Sequence, residues 1–461
     1  MRRSARSVFG LVVLLLPACS LLLDFDELQG GDEKQSGDGG SSCPEPCNDN
    51  QACTADSCDS AASPPRCKFE PIRGLVDDGY NAEIQADSVH RVTMTSAADT
   101  FYFTVFETTN GAPELTLYSV QNNSSEHQLR TRFSGVLGAF RPRSAAGMVV
   151  DTSAGLTLHG FFALDDSPYH IALRGNLEVT QSTPATPLSS NTYDASNPRR
   201  YPVAGTIAGK PTAAWINKDG TITARSPGEA PLPLGSTDLA ATQLALIGSA
   251  DTPGALWTGP RGVYTQLSGG QPSQLSECET RAGVYTSAMA VPILSGAWLS
   301  SWTKAGGMGA SGFIGSQERG TACGSLLCIA DAECDGDSWR PGVRNAAAAT
   351  ASRQGDESGT VFAASASPYL RVGEAGTPEA GLNLIVARIV FGPQPLTTQP
   401  ITEPIGVVEL SKMAPRGALL EGPDWPAVSI LPPNRLAVAW IEPRGESGDV
   451  LKTKRLQICA P

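Results

Sequence analysis

The chain has 461 residues, 41% of them hydrophobic, 6% aromatic and 17% charged, and 34 basic against 46 acidic side chains leave a net charge of −12. That composition is enough to bury a core and excludes a disordered tail. The acidity argues against a nucleic-acid partner, because phosphate binding needs a concentrated field of Lys and Arg. With 48 Gly and 35 Pro the chain is rich in turns, which favours β structure.

The first residues have three parts: Arg2, Arg3 and Arg6, an apolar run from Val8 to Leu16, then Leu16-Pro17-Ala18-Cys19. This is the layout of an export signal, with the charged end held on the cytoplasmic side and the apolar stretch in the bilayer. The last four residues resemble the bacterial lipobox, whose cysteine is acylated; Pro17 departs from the small residue usual at that place. The resemblance implies a signal peptide over 1–18, lipidation of Cys19 and, with Ser20 rather than Asp following it, an outer-membrane or cell-surface address. Two alternatives stand beside it, an uncleaved anchor and an ordinary secretory signal. The stretch from Val8 to Leu23 is broken by Pro17 and falls short of the ~20 residues that cross a bilayer.

Residues 19–42 contain the acidic, Gly- and Ser-rich stretch DFDELQGGDEKQSGDGGSS. Such a stretch buries too little surface to offset its ordering entropy, so it reads as a tether.

Cys43, Cys47, Cys53, Cys58 and Cys67 follow within 25 residues. In an exported chain this is a disulfide framework. Zinc would need Cys-x2-Cys knuckles or paired histidines, which are missing. The residues CNDNQACTADSCD and CKFEPI, with cysteine spacings of five, four and eight, resemble the CTDC extracellular-matrix repeat. That resemblance implies a stapled extracellular module over 43–72 and no activity. Asp49 and Asp56 could ligate calcium there, although acids in small loops more often bond backbone amides.

From residue 75 to 461, seven apolar runs stand out: TFYFTVFE at 100, LTLHGFFAL at 156, TAAWINKDGTITA at 212, GALWTGPRGVYTQL at 254, GAWLSSW at 296, TVFAASA at 360 and RLAVAWIE at 435. Most are followed by a short turn and a second strand, a hairpin signature. Their starts lie 56, 56, 42, 42, 64 and 75 residues apart. Such spacing suits a β-propeller of six or seven blades, because each small sheet buries its faces only against neighbouring blades. A pair of β-sandwich domains is the rival arrangement. Only Asn345 to Ser352 has the alanine content for a short helix.

The body holds five further cysteines, Cys278, Cys323, Cys328, Cys334 and Cys459. With five in each half, complete pairing requires a bridge between module and body, and Cys43, outside the four-cysteine repeat, is the leading candidate for it.

Asp331, Glu333, Asp335 and Asp337 with Gly336 open like a calcium loop but have no Glu at the twelfth place. Calcium is the one cofactor considered; the alternative is a solvated acidic loop. Gly307 to Gly312 matches G-x-G-x-x-G, yet its flanks read as strands, whereas a dinucleotide loop needs a helix after it. If Leu164 pairs with Tyr169 across a turn at Asp165 to Pro168, His159 and His170 share a face about 13 Å apart, too far to share a metal. Asp165 and Asp166, as chain neighbours, do not converge on one substrate. Asn217-Lys218-Asp219-Gly220 resembles the Asp-Gly turn of sialidase-type propellers without that motif's Ser or Thr and closing aromatic. Trp215, Trp257, Trp298, Trp302 and Trp440 read as core packing, with a sugar-binding ring as the alternative.

The resulting expectation is a lipid-anchored envelope protein with a noncatalytic binding or adhesion role toward a surface protein or glycan. The alternatives are a propeller enzyme acting on polysaccharide or cell-wall fragments, and a passive envelope component. No catalytic residue can be named.

Overall fold

The computed structural model describes Cys47 to Cys459, apart from Asn50, Ser63 and the segments 110–111, 134–141, 152–154, 165–166, 175–184, 190–201, 238–240, 242–243, 249–252, 260–261, 275–283, 295–296, 306–309, 317–326, 329–347, 354–359, 373–377, 391–400, 412–426, 432–433 and 444–447; for strands between 284 and 383 it describes the backbone alone. Among the described residues there are seven four-stranded antiparallel sheets, one two-stranded hairpin and no helix. The hairpin is β1 (Thr54–Asp59) with β2 (Arg66–Pro71), followed by β3 (Gly74–Ala86).

Blade 1 is β4 (Ser88–Ala97), β5 (Thr100–Thr109), β6 (Ala112–Gln121) and β7 (Gln128–Arg132); blade 2 is β8 (Pro142–Asp151), β9 (Thr157–Leu164), β10 (Ser167–Arg174) and β11 (Thr186–Pro187). Blade 3 is β12 (Val203–Ile207), β13 (Lys210–Ile216), β14 (Thr221–Arg225) and β15 (Leu232–Ser236); blade 4 is β16 (Leu244–Gly248), β17 (Pro253–Gly259), β18 (Gly262–Leu267) and β19 (Ser273–Gln274). Blade 5 is β20 (Val284–Leu294), β21 (Ala297–Ala305), β22 (Ala310–Ser316) and β23 (Leu327–Cys328); blade 6 is β24 (Ala348–Arg353), β25 (Thr360–Val372), β26 (Pro378–Val390) and β27 (Ile401–Ser411). Blade 7 takes β28 (Ala427–Leu431), β29 (Arg435–Pro443) and β30 (Asp449–Cys459) from the end of the chain and β3 from its beginning. The first strand of every blade touches that of the next, and β28 touches β4, so the ring closes. This is a seven-bladed β-propeller.

Each of the seven apolar runs falls on the second strand of a blade. A second strand has hydrogen-bonded neighbours on both edges and another blade on each face, so it reads as a nearly continuous apolar run. In β13 every residue after Lys210 is buried. The cores lie between blades. Tyr102, Leu117 and Phe133 meet Leu158 and Ile171 between blades 1 and 2, and Phe161 and Ala163 meet Ala213 and Trp215 between blades 2 and 3. Phe103 and Val105 meet Ala439, Ile441 and Leu451 between blades 7 and 1. Burying one such aliphatic or phenyl side chain contributes roughly 1.5–3 kcal/mol.

First strands converge on the ring's interior and carry small residues where they crowd. A Cβ on Gly147, at φ +146, would lie 3.1 Å from the Ala204 Cβ, and one on Gly205 would lie 3.1 Å from a Leu246 methyl. The expected helix is corrected: Ala348–Arg353 is the first strand of blade 6, paired with β25 from Ala348 opposite Ala366 to Arg353 opposite Val361, and sheet pairing overrides the helix propensity of its alanines.

Blade 7 is closed by β3 pairing with β30, from Gly74 opposite Cys459 to Ala86 opposite Asp449. A register shift between Asp77 and Asn81 puts Asp78 where its carboxylate accepts from Arg455 Nε at 2.6 Å, with Arg435 Nε at 3.5 Å. Arg455 also donates to the carbonyls of Gln121 and Ser124, and Arg435 to that of Asn122. Two strands of blade 7 thereby grip the loop after β6 of blade 1. The Arg455 side chain is only 4% exposed, so these bonds replace the water it loses.

Candidate functional site

Two disulfides are described. Cys47–Cys67 closes a loop of 20 residues within the hairpin segment, and Cys53–Cys459 spans 406; Cys58 is disulfide-bonded as well. Cys47 and Ser57–Lys68 fall in one compact unit, while Asn48–Asp56 and the chain from Phe69 onward form the other. The bridge expected between the cysteine-rich segment and the body is made by Cys53. Cys43, expected to form it, lies outside the described residues, as do Cys19, Cys278, Cys323, Cys334 and the acids Asp331, Glu333, Asp335 and Asp337. Of Cys328 only the backbone is described, in β23 opposite Phe313. The disulfides are consistent with an exported chain.

Asp49 and Asp56 act as turn acceptors. Asp49 Oδ1 accepts from the Gln51 amide at 2.9 Å and from Thr54 Oγ1 at 2.8 Å, and Asp56 Oδ2 accepts from the Asp49 amide at 3.2 Å. Among the described residues no group of three or more His, Cys, Asp or Glu side chains is placed to share a metal ion.

Two buried carboxylates face each other in blade 1. Glu107 on β5 and Glu114 on β6 stand directly opposite and are 4% and 7% exposed. Thr116 Oγ1 donates to Glu107 Oε1 at 2.8 Å, and Arg132 approaches Glu114 at 3.8 Å. Burial, and secondarily the Glu114 charge, push the Glu107 carboxyl above the ordinary carboxylate range against the Thr116 hydrogen bond. Both carboxylates are covered, which keeps a substrate from them. His90, the extra residue of a bulge between Val89 and Arg91 of β4, bonds Thr108 Oγ1 through Nε2 at 2.8 Å. The carboxylate pair was missed in the sequence, although a signal exists. Asn110-Gly111 is a two-residue hairpin sequence, and Thr109 opposite Ala112 carries the register back to Glu107 and Glu114.

Blades 3 and 7 share a device near the hairpin after the second strand. In blade 3 the Trp215 indole donates to Asn217 Oδ1 at 2.9 Å, and the Asn217 amide donates to Thr221 and Thr223. In blade 7 the Trp440 indole donates to Glu442 Oε1 at 3.0 Å, and Lys452 Nζ lies 2.9 Å from Glu442 Oε2. Burial alone would raise the Glu442 carboxyl, but hydrogen bonds from Ser411, Trp440 and Lys452 outweigh it and hold it below the usual range. Asp219 accepts from the Thr221 amide and hydroxyl, as a turn residue does. Trp215, Trp257 and Trp440 are packed in the core at 1–3% exposure; Trp298 and Trp302 lie in β21.

The histidine geometry corrects the expectation from sequence. Leu164 pairs with Ser167, not Tyr169, so His170 stands opposite Phe161, one diagonal step from His159. His159 Nδ1 and His170 Nε2 are 2.9 Å apart, not about 13 Å. The shorter connection moves His170 two residues closer along the strand, and two-residue loops are the commonest hairpin closure. Ring centroids are 5.1 Å apart at an interplanar angle of 22°. Since the nitrogen contact accounts for most of that separation, the rings meet edge to edge through an N–H···N bond. Burial, then the neighbouring His159, push His170 down to about 4; burial likewise lowers His159, against the attraction of Asp151. Asp165 and Asp166 lie outside the described residues. Of the G-x-G-x-x-G stretch, Ala310–Gly312 begin β22 after strand β21, so strands flank it on both sides.

No family model matches the chain, and no curated protein does. Among solved structures, the phage phi92 endosialidase is 8% identical over 86% of this chain and 71% of its own, with a TM-score of 0.41. The α-L-arabinofuranosidase Arb93A from Fusarium graminearum is 9% identical over 82% and 97%, TM-score 0.44. The WD40 β-propeller domain of Doa1 is 8% identical over 83% and 97%, TM-score 0.41. These are likenesses of fold and carry nothing about chemistry.

Proposed function

We propose that this chain is an exported envelope protein, held to the outer membrane or cell surface by acylated Cys19, whose propeller binds a surface protein or a glycan without transforming it. One observation carries the reading: the buried carboxylates among the described residues are engaged in construction. Glu107 holds Thr116, Glu114 holds Arg132, Glu442 holds Trp440 and Lys452, and Asp449 Oδ2 accepts the Val89 amide of the next blade at 2.8 Å. What such a ring offers a ligand is a rigid frame carrying loops. The anchor rests on Leu16-Pro17-Ala18-Cys19 and export on the disulfides.

A second reading, hydrolysis of polysaccharide or cell-wall fragments, would need the covered Glu107–Glu114 pair to open to substrate. A glycan array probed with the mature protein, run beside a reducing-end assay on every glycan retained, separates the two. Retention without release of reducing ends is expected; release that is lost in Glu107→Gln would replace binding by catalysis. Radiolabelled palmitate should enter the wild type and not Cys19→Ala, and equal labelling would remove the anchor from the proposal.

A further inference from the structure

The cysteines pair out of order. Cys53 lies between Cys47 and Cys58, with Cys67 close behind, yet its partner is Cys459, 406 residues away. Cys47 reaches over it to Cys67. Chain entropy favours the opposite outcome. The probability that two points of a flexible chain meet falls with about the 3/2 power of their separation, so in an unfolded chain Cys53 meets Cys47 or Cys58 roughly 550 to 750 times as often as Cys459.

The native geometry gives no earlier opportunity. Cys459 ends β30, opposite Gly74 of the closing strand β3, and the Ile72 amide bonds the Cys53 carbonyl at 2.9 Å. These registers bring Cys53 and Cys459 together when blade 7 closes on the N-terminal strand, the last step for a chain entering the compartment from its N-terminus. Once made, the bridge is covered at its Cys459 end, which is 1% exposed, while Cys53 is half-buried, and the sulfurs lie 4.0 Å from the Ile458 and Ala52 carbonyls.

We infer that Cys53 is a site of obligatory thiol–disulfide exchange, first paired within its own hairpin and then transferred to Cys459 by a disulfide isomerase of the compartment that receives the chain. Two thiols first give two electrons and two protons to a disulfide oxidant, which leaves as a dithiol, and Cys53 is bonded to Cys47 or Cys58. The isomerase thiolate attacks Cys53 Sγ, and the local cysteine departs as a thiolate and takes up a proton. The Cys459 thiolate then attacks Cys53 Sγ and releases the isomerase thiolate. The exchange moves no net electrons. The displaced cysteine, Cys47 or Cys58, then needs a second oxidant equivalent to reach the disulfide it holds in the structure, which for Cys47 is the bond to Cys67. The inference requires export and the observed bridge, and is independent of the binding reading.

The test refolds the reduced, denatured mature chain by dilution into diamide alone, or into diamide followed by reduced glutathione as a small-molecule stand-in for the isomerase thiol. Non-reducing peptide mapping then reads the partner of Cys53. Diamide alone should leave Cys53 mainly with Cys43, Cys47, Cys58 or Cys67, and reduced glutathione should raise the Cys53–Cys459 peptide at least fivefold. A Cys43→Ser, Cys47→Ser, Cys58→Ser, Cys67→Ser variant, stripped of local competitors, should form more Cys53–Cys459 in diamide alone than the wild type. Cys53–Cys459 predominating from the outset in wild type, no gain with glutathione, or no gain in the variant would each overturn the inference.

Discussion

Replacing Cys53 and Cys459 together by alanine removes a cross-link that closes 406 residues. In the chain-entropy account the cross-link destabilises the unfolded ensemble by about 6 kcal/mol, from −2.1 − 1.5R ln n at 25 °C. Measured effects fall below that ceiling, so a loss of about 3–5 kcal/mol is expected. The assay is equilibrium urea unfolding of the oxidised mature proteins, followed by the fluorescence of the buried Trp215, Trp257 and Trp440. With a urea slope of roughly 3 kcal/mol/M for a chain of this size, the midpoint should fall by about 1–1.7 M. The control is Cys47→Ala with Cys67→Ala. That staple closes only 20 residues, and both of its cysteines lie in the small unit, outside the propeller's. Its removal should leave the tryptophan transition in place. Equal midpoints for wild type and the Cys53/Cys459 variant, or an equal drop in both variants, would refute the claim that the long bridge secures ring closure.

Three further outcomes follow from the buried polar groups. Arg455→Met should cost about 3–5 kcal/mol, because Asp78 and the blade 1 carbonyls lose their buried partner, whereas Arg435→Met, at a side chain 30% exposed, should cost under about 1 kcal/mol; calorimetry of both variants ranks them. Folded His170 sits near 4 against an ordinary 6.5, so the unfolded chain binds the extra proton between those values. Its share of stability, about 3 kcal/mol, is fully present above pH 6.5 and lost as pH falls toward 4; His170→Phe should flatten the melting temperature between pH 7 and 5 relative to wild type. Glu107 has the opposite sign, since burial raises it and its ionisation destabilises the fold as pH rises. Glu107→Gln should therefore stabilise at pH 8 by up to about 1 kcal/mol, the scale of like charges directly opposite on adjacent strands, and change little at pH 4.

The sequence by itself determined the β class and the seven second strands, because a strand covered on both faces and both edges must be apolar wherever it lies in the ring. With every cysteine paired, parity also called for a bond between the N-terminal segment and the body, and Cys53–Cys459 is such a bond. What only tertiary structure decided is which residues meet across separations that local pattern cannot encode. β3 completes blade 7 because the ring leaves one unpaired edge and the chain's own beginning fills it, and that register selects Cys53 for Cys459. The alanine-rich β24 becomes strand because it pairs with β25 in blade 6, which overrides its helix propensity. His159 meets His170, and Glu107 meets Glu114, through strand registers in which two residues of connection decide between contact and separation.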